Sequence, residues 1–238
     1  MKSVSDLKIK LFADGAEKTG MLEMYQNPLI KGFTTNPTLM HKAGITDYVA
    51  FAKDILHEIP DRPISFEVFS DDFAEMKRQA LLITSWGKNV YVKIPVTNTE
   101  AKPSYRLIHD LSSMRIKLNV TAIMTLEQVN EVSHALGNHA PSIISVFAGR
   151  IADTGVDPVP IMKSAVEFLR DKENQELLWA SPRELLNIFQ ADEVGCHIIT
   201  ATNDILKKIS LVGKDLSEFS LDTVKMFRND AVNASYYL

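Results

Sequence analysis

One lysine interrupts a stretch that is otherwise apolar, Val90-Tyr91-Val92-Lys93-Ile94-Pro95-Val96-Thr97. Runs of Val, Ile and Tyr suit a parallel strand covered on both faces. Burial in such a strand disfavours the charged form of an amine. Two readings of Lys93 follow. Its ammonium can reach out to solvent or to a buried carboxylate, as most strand lysines do. Alternatively, a lysine desolvated at a strand end attacks carbonyl carbon and forms a Schiff base. The choice depends on what stands near it. Glu67, in Ile64-Ser65-Phe66-Glu67-Val68-Phe69, and Asn119 with Thr121, in Leu118-Asn119-Val120-Thr121, are also polar residues set among strand formers. Asp14, Asn36, Ser145 and Ser181 stand where other apolar runs end. Taken singly they have ordinary uses: Asp14 can cap a helix from Ala16, Asn36 before Pro37 suits a turn, and Ser181 can cap at Pro182. Taken together, carboxylate, amide and ammonium groups inside one fold need partners, and a cavity for a polar ligand supplies them.

Two arginines extend the pattern. Arg150 follows Ser145-Val146-Phe147-Ala148-Gly149, and Arg183 follows Ser181-Pro182. Guanidinium groups take phosphate oxygens bidentately. They can equally pair with neighbouring acids such as Asp153 or Glu184.

The elements that would bring these residues together are eight short β-like runs: Ile9–Ala13, Gly32–Thr35, Ile64–Phe69, Val90–Ile94, Leu118–Ala122, Ile143–Phe147, Glu176–Ala180 and His197–Ala201. Helical patterns separate them: Ala16–Tyr25, Thr46–His57, Asp71–Trp86, Lys102–Ser112, Leu126–Ala135, Val159–Arg170, Pro182–Gln190 and Asn203–Lys208. Eight strand-then-helix units predict an α/β fold, a single (β/α)8 TIM barrel over about residues 8–210. Leu216–Val224 and Asp230–Tyr237 add extra C-terminal helices, in an extension over about 211–238. One domain then spans 1–238. An open doubly wound sheet is the runner-up, but the first turn, Ala13-Asp14-Gly15-Ala16, is no GxGxxG. A barrel places chemistry at the C-terminal ends of its strands, with anion sites near the last βα loops. The polar residues named above fall at those ends.

The ordered set Phe12-Ala13-Asp14-Gly15, Thr34-Thr35-Asn36-Pro37-Thr38-Leu39, Phe66-Glu67-Val68, Val92-Lys93-Ile94-Pro95, Asn119-Val120-Thr121, Ser145 to Ile151 and Ala180-Ser181-Pro182-Arg183 resembles the transaldolases and the related fructose-6-phosphate aldolases. The resemblance spans roughly residues 8 to 205. It implies that Lys93 attacks the C2 ketone of a ketose phosphate and that the imine is the electron sink for C3–C4 cleavage. Asp14 is implied as the proton carrier at the C4 hydroxyl, with Glu67 and Thr121 holding the water that shuttles protons. Asn36, Asn119 and Ser145 are implied to bind the dihydroxyacetone unit, Arg150, Ser181 and Arg183 the distal phosphate, and Thr35 and Phe147 are implied as further substrate-binding residues. It also implies no metal or organic cofactor, small sugar phosphates as partners, a homo-oligomer and a place in pentose phosphate metabolism. Aldolase members carry a pattern with Gln at the Glu67 position and Tyr at the Phe147 position, so Glu67 and Phe147 resemble the transaldolase branch. The length of the chain is closer to the short aldolase-like members. Val146 and Pro182 depart from the family pattern, which leaves the acceptor open. A sulfonated sugar would suit two arginines and a serine as well as a phosphorylated one. Beside the transferase stand an aldolase releasing free dihydroxyacetone and a catalytically dead barrel that binds sugar phosphates.

Bulk properties agree with an ordinary globular protein. The 238 residues are 45% hydrophobic and 24% charged, and 26 basic against 30 acidic residues give a net charge of −4. No basic excess points to nucleic acid or an anionic membrane. The longest apolar runs are strand-sized, too short to span a bilayer. The first six residues lack the apolar core of a signal peptide. Cys196 is the only cysteine, which excludes an internal disulfide and fits a reducing cytoplasm. Set before His197-Ile198-Ile199, it reads as a buried, inert thiol. The six histidines show no HExxH-type ligand spacing. The apolar residues of Leu216–Val224 and Tyr236-Tyr237-Leu238 would pack either on a neighbouring subunit or back over the outer helices.

Overall fold

The structure is a computed structural model and describes residues 3–237. A short 3₁₀ turn, Val4–Asp6, leads into β1 (Lys10–Asp14) and α1 (Lys18–Gln26). Next come β2 (Ile30–Thr34), α2 (Pro37–Lys42), α3 (Tyr48–Glu58), β3 (Ile64–Glu67), α4 (Phe73–Thr84), β4 (Val90–Pro95) and α5 (Tyr105–Ser113). The second half runs β5 (Leu118–Ile123), α6 (Leu126–Leu136), β6 (Ser142–Val146), α7 (Ala148–Ala152), α8 (Val159–Phe168), β7 (Gln175–Trp179), α9 (Leu186–Glu193), β8 (Ile198–Thr202) and α10 (Asn203–Lys207). A second 3₁₀ turn, Lys208–Leu211, precedes α11 (Leu216–Asn233). The eight strands pair in sequence order and β8 closes on β1, all parallel. The chain is therefore a closed (β/α)8 barrel, and the open-sheet alternative is excluded.

All eight expected strands are present, with ends shifted by at most two residues. The expected helices start up to four residues late, because the chain first crosses the rim of the barrel. Two short helices escaped the periodicity. In α2, Asn36 accepts from the Leu39 amide and Pro37 occupies the first turn, so the sequence that reads as a turn is a helix start. The α7 segment is five residues long and contains a glycine. The two expected C-terminal pieces are one continuous helix, α11, which ends before Tyr236; Leu238 lies outside the described residues.

Alternation along the strands sorts two cores. Outward residues such as Val90, Val92 and Ile94 of β4 pack beneath the helices in the large apolar layer. Inward residues Phe12, Ile143, Leu178 and Ile198 fill the barrel, with Tyr91 packed against them. Each fully buried Ile, Leu or Phe contributes about 1.5–3 kcal/mol of transfer free energy. Gly32 faces the same interior: a β-carbon there would lie 2.5 Å from Cζ of the Phe12 ring, so only glycine admits that ring. This plug forms the floor on which the polar layer sits. Cys196 is buried, its thiol pushed up to about 12 by desolvation, an inert thiol as its apolar neighbours suggest. Among the described residues, no helix is long and apolar enough to cross a membrane.

Candidate active site

Two residues further along most of the strands, at the next inward position, the side chains become polar: Phe12 gives way to Asp14, Tyr91 to Lys93, Ile143 to Ser145 and Ile198 to Thr200. Glu67, Lys93 and Asn119 stand side by side in register on β3, β4 and β5. A cavity of about 560 Å³ opens above them at the C-terminal ends of the strands. It is lined by all the candidate residues except Thr35 and Arg183.

Lys93 is 6% exposed although it carries an amine. Its Nζ donates to the Thr35 carbonyl at 3.0 Å and lies 3.3 Å from Glu67 Oε2. A carboxylate partner is thus present, but Glu67 is only partly buried and faces the cavity with the amine. Thr35 itself is fully buried, its hydroxyl donating to the Ser65 carbonyl, so it meets the site through its backbone. Glu67 is held from behind: the Tyr48 hydroxyl accepts from the Glu67 amide and donates to its carbonyl, both at 2.9 Å. Burial pushes the Tyr48 phenol up, so it stays neutral in that role.

Across the mouth, Thr34 Oγ1 donates to Asp14 Oδ1 at 2.7 Å and lies 2.6 Å from the Thr200 hydroxyl. With the Thr34 proton on the carboxylate, Thr200 is the donor of that second bond. Desolvation raises the Asp14 carboxyl above the usual carboxylate range, only partly offset by the Lys93 charge and the Thr34 hydrogen bond. Asp14 does not cap α1, whose amides are taken by Glu17. Asn119 Nδ2 donates to Ser65 Oγ at 3.0 Å, and Ser145 Oγ donates to Asn119 Oδ1 at 2.6 Å, which fixes the amide orientation. Thr121 is 2% exposed and lines the cavity, yet its hydroxyl has no partner among the described residues. A buried unpaired hydroxyl is costly unless a ligand or water meets it.

At the far rim, the Arg150 guanidinium carbon sits 5.6 Å from the centre of the Phe147 ring. Arg183 is otherwise engaged. Its Nε donates to Asp153 Oδ1 at 2.8 Å, Nη2 meets Asp153 Oδ2, and Nη1 donates to both Ser181 O and Oγ at 2.9 Å. Of the two acids within reach, the pairing goes to Asp153. Ser181, after β7, adopts φ +61° and Ala122, on β5, φ +62°, and both line the cavity; left-handed backbone at non-glycine residues costs about 1–2 kcal/mol each and gathers at ligand sites. Gly149 makes the loop fit: a β-carbon there would meet the Ser181 carbonyl oxygen.

Sequence reasoning passed over Thr34, Ser65, Thr200 and Tyr48. Thr34 and Thr200 carried the same signal as Asn119, an inward polar position one step above the apolar plug.

The chain was compared with known proteins. The model of the family described as Transaldolase/Fructose-6-phosphate aldolase matches residues 11–236. A probable transaldolase of a Thermoanaerobacter species is 32% identical over 218 residues, 91% of this chain and 95% of that protein. Probable transaldolase 2 of Listeria monocytogenes is 32% identical over 202 residues, 84% of this chain and 88% of the relative. Among solved structures, 3-hexulose-6-phosphate synthase from Salmonella typhimurium has a TM-score of 0.57 at 12% identity, covering 84% of this chain and 91% of that one. At that identity the likeness speaks for the barrel alone. The family model and the near full-length relatives carry more, and on them the chain belongs to the transaldolase/fructose-6-phosphate aldolase family.

Proposed function

We propose that this family member is a transaldolase that moves a dihydroxyacetone unit from a ketose phosphate, of the fructose 6-phosphate or sedoheptulose 7-phosphate type, to an aldose phosphate. The carrying observation is the buried Lys93 amine, 3.3 Å from Glu67 in a cavity that also holds Asp14 and the unpartnered Thr121 hydroxyl. The neutral amine attacks C2 of the ketose, and the carbinolamine loses its oxygen as water to give an iminium ion. Glu67 and Thr121 hold that water and pass its protons. Asp14 takes the proton of the C4 hydroxyl while the C3–C4 electrons flow into the iminium. An aldose phosphate leaves and an enamine stays on Lys93. An incoming aldehyde is attacked by C3, Asp14 returns its proton to the new hydroxyl, and water releases the product. A carboxyl raised by desolvation holds a proton more readily than an ordinary one, which suits a group that both takes and returns it. Asn36, Asn119 and Ser145 hold the dihydroxyacetone hydroxyls, with the Thr35 backbone beneath and Phe147 as a wall. Arg150, Ser181 and Arg183 take the phosphate.

Phe147 favours transfer over release. A phenol at that position would deliver a proton or position water to free dihydroxyacetone; a phenyl ring does neither. With fructose 6-phosphate and erythrose 4-phosphate, the expected product is a new ketose phosphate. With fructose 6-phosphate alone, free dihydroxyacetone should be near background. Abundant free dihydroxyacetone without acceptor would assign the aldolase instead. Turnover of neither kind, with sugar phosphate still bound, would leave only a binding barrel. On this reading the protein works in the cytoplasm on pentose phosphate intermediates.

The reading includes a homo-oligomer. No residue of α11 is buried, and Leu216, Val224 and Phe227 are 81%, 60% and 64% exposed. An amphipathic helix stable in water needs its apolar face covered. Light scattering should give a mass that is a multiple of 26.6 kDa, and removal of residues 214–238 should lower it. A full-length monomer contradicts the assembly.

A further inference from the structure

Arg183 is implied by family resemblance to hold the substrate's anionic end, yet its fork is occupied. Asp153 takes Nε and Nη2, and Ser181 takes Nη1 through both of its oxygens. Ser181 lines the cavity and Arg183 does not, so the guanidinium is parked behind the wall it should serve. The parking is not enforced by packing, since the Arg183 and Asp153 side chains are 44% and 53% exposed. The backbone beneath it is fixed: the Arg183 amide donates to Asn187 Oδ1 at 2.8 Å, and Ser181 is pinned against Gly149. Only the side chain is free to swing. Asp153 ends α7, the helix that carries Arg150, and the Arg150 charge acts on the same carboxylate. One acid therefore answers both arginines of the rim.

We propose that Asp153 is a specificity-determining residue that competes with the substrate's phosphate or sulfonate for Arg183 and so sets how tightly the anionic end is held. The carboxylate is a built-in occupant of the fork, which a phosphate displaces by offering up to two charges and three oxygens, and a singly charged sulfonate by its three oxygens alone. A neutral sugar cannot displace it, so Arg183 turns to the cavity only for charged substrates. The inference rests on the proposed sugar-phosphate reading of the cavity but not on the imine.

The test uses the intact protein and inorganic phosphate, titrated calorimetrically into the wild type, Asp153→Asn, Arg183→Gln and the double variant. Unfolding curves by circular dichroism verify that each variant is folded; both positions are half-exposed and the Asn is isosteric. An exposed ion pair is screened by solvent and modest, so Asp153→Asn should bind phosphate roughly 1.5- to fivefold more tightly. In the Arg183→Gln background the same change should give no gain. Equal or weaker binding by Asp153→Asn would show that Asp153 orients Arg183 for its ligand, and would overturn the competition. An equal gain in the Arg183→Gln background would overturn it too, as a bulk charge effect. Because phosphate binds without an imine, failure of Lys93 to form an adduct would end the catalytic reading and leave this measurement intact.

Discussion

Lys93→Met is expected to abolish transfer, with a loss of roughly 10⁵-fold or more, the scale seen when an enzyme loses a covalent nucleophile. Methionine keeps the length and bulk of the side chain while removing the amine that would become the imine nitrogen. The binding groups stay where they are, because Asn119 is held by Ser65 and Ser145 and Arg150 by its place beside Phe147. Affinity for fructose 6-phosphate should therefore change by no more than a few-fold, since the bonds that hold the hydroxyls are each worth about 0.5–1.5 kcal/mol and none is removed. Steady-state kinetics and equilibrium binding on the same preparation separate the two effects. Substantial residual turnover would mean that the chemistry does not pass through this amine.

The second large effect is at Asp14. Asp14→Asn preserves the shape and the Thr34 hydrogen bond but cannot take a proton from the C4 hydroxyl. Proton transfer by a positioned side chain is worth about 10²–10⁴-fold, so kcat should fall by that factor with little change in KM. The same substitution should stabilise the fold. Desolvation is the largest influence on this carboxyl and raises it above its unfolded value, more than the Lys93 charge lowers it. A carboxyl raised on folding favours the native state where it is protonated, and that contribution is lost as pH rises through its folded value. At neutral pH the wild type carries the cost of a desolvated carboxylate, and Asn does not. The variant should melt at a higher temperature than the wild type at pH 7, and the difference should shrink as pH falls into the ordinary carboxylate range. A variant less stable at pH 7 would mean that the Lys93 attraction outweighs desolvation.

The barrel was legible because eight apolar runs of strand length recur between amphipathic segments, and the first turn lacks the GxGxxG that a doubly wound sheet would use for a nucleotide. Lys93, Glu67 and Asn119 were legible for a local reason: a charge or amide inside a run of β-branched residues has to be explained. Thr34 and Thr200 carry as much of the site's hydrogen bonding, but threonine is at home in any strand and attracts no attention there. Tyr48 reads as one more core aromatic of α3, and its grip on the Glu67 backbone depends on a contact nineteen positions away. The α2 helix was hidden because Asn36-Pro37 signals a turn and a helix start equally well. The fate of Arg183 needed coordinates: Asp153 and Glu184 were both reachable in sequence terms, and the thirty-residue pairing with Asp153 follows from where α7 ends.

The central claim is an imine on one particular amine. Intact protein incubated with fructose 6-phosphate and reduced with borohydride should gain the mass of one reduced dihydroxyacetone unit, and peptide mapping should place it on Lys93. An unchanged mass, or an adduct on any other lysine, would contradict the account.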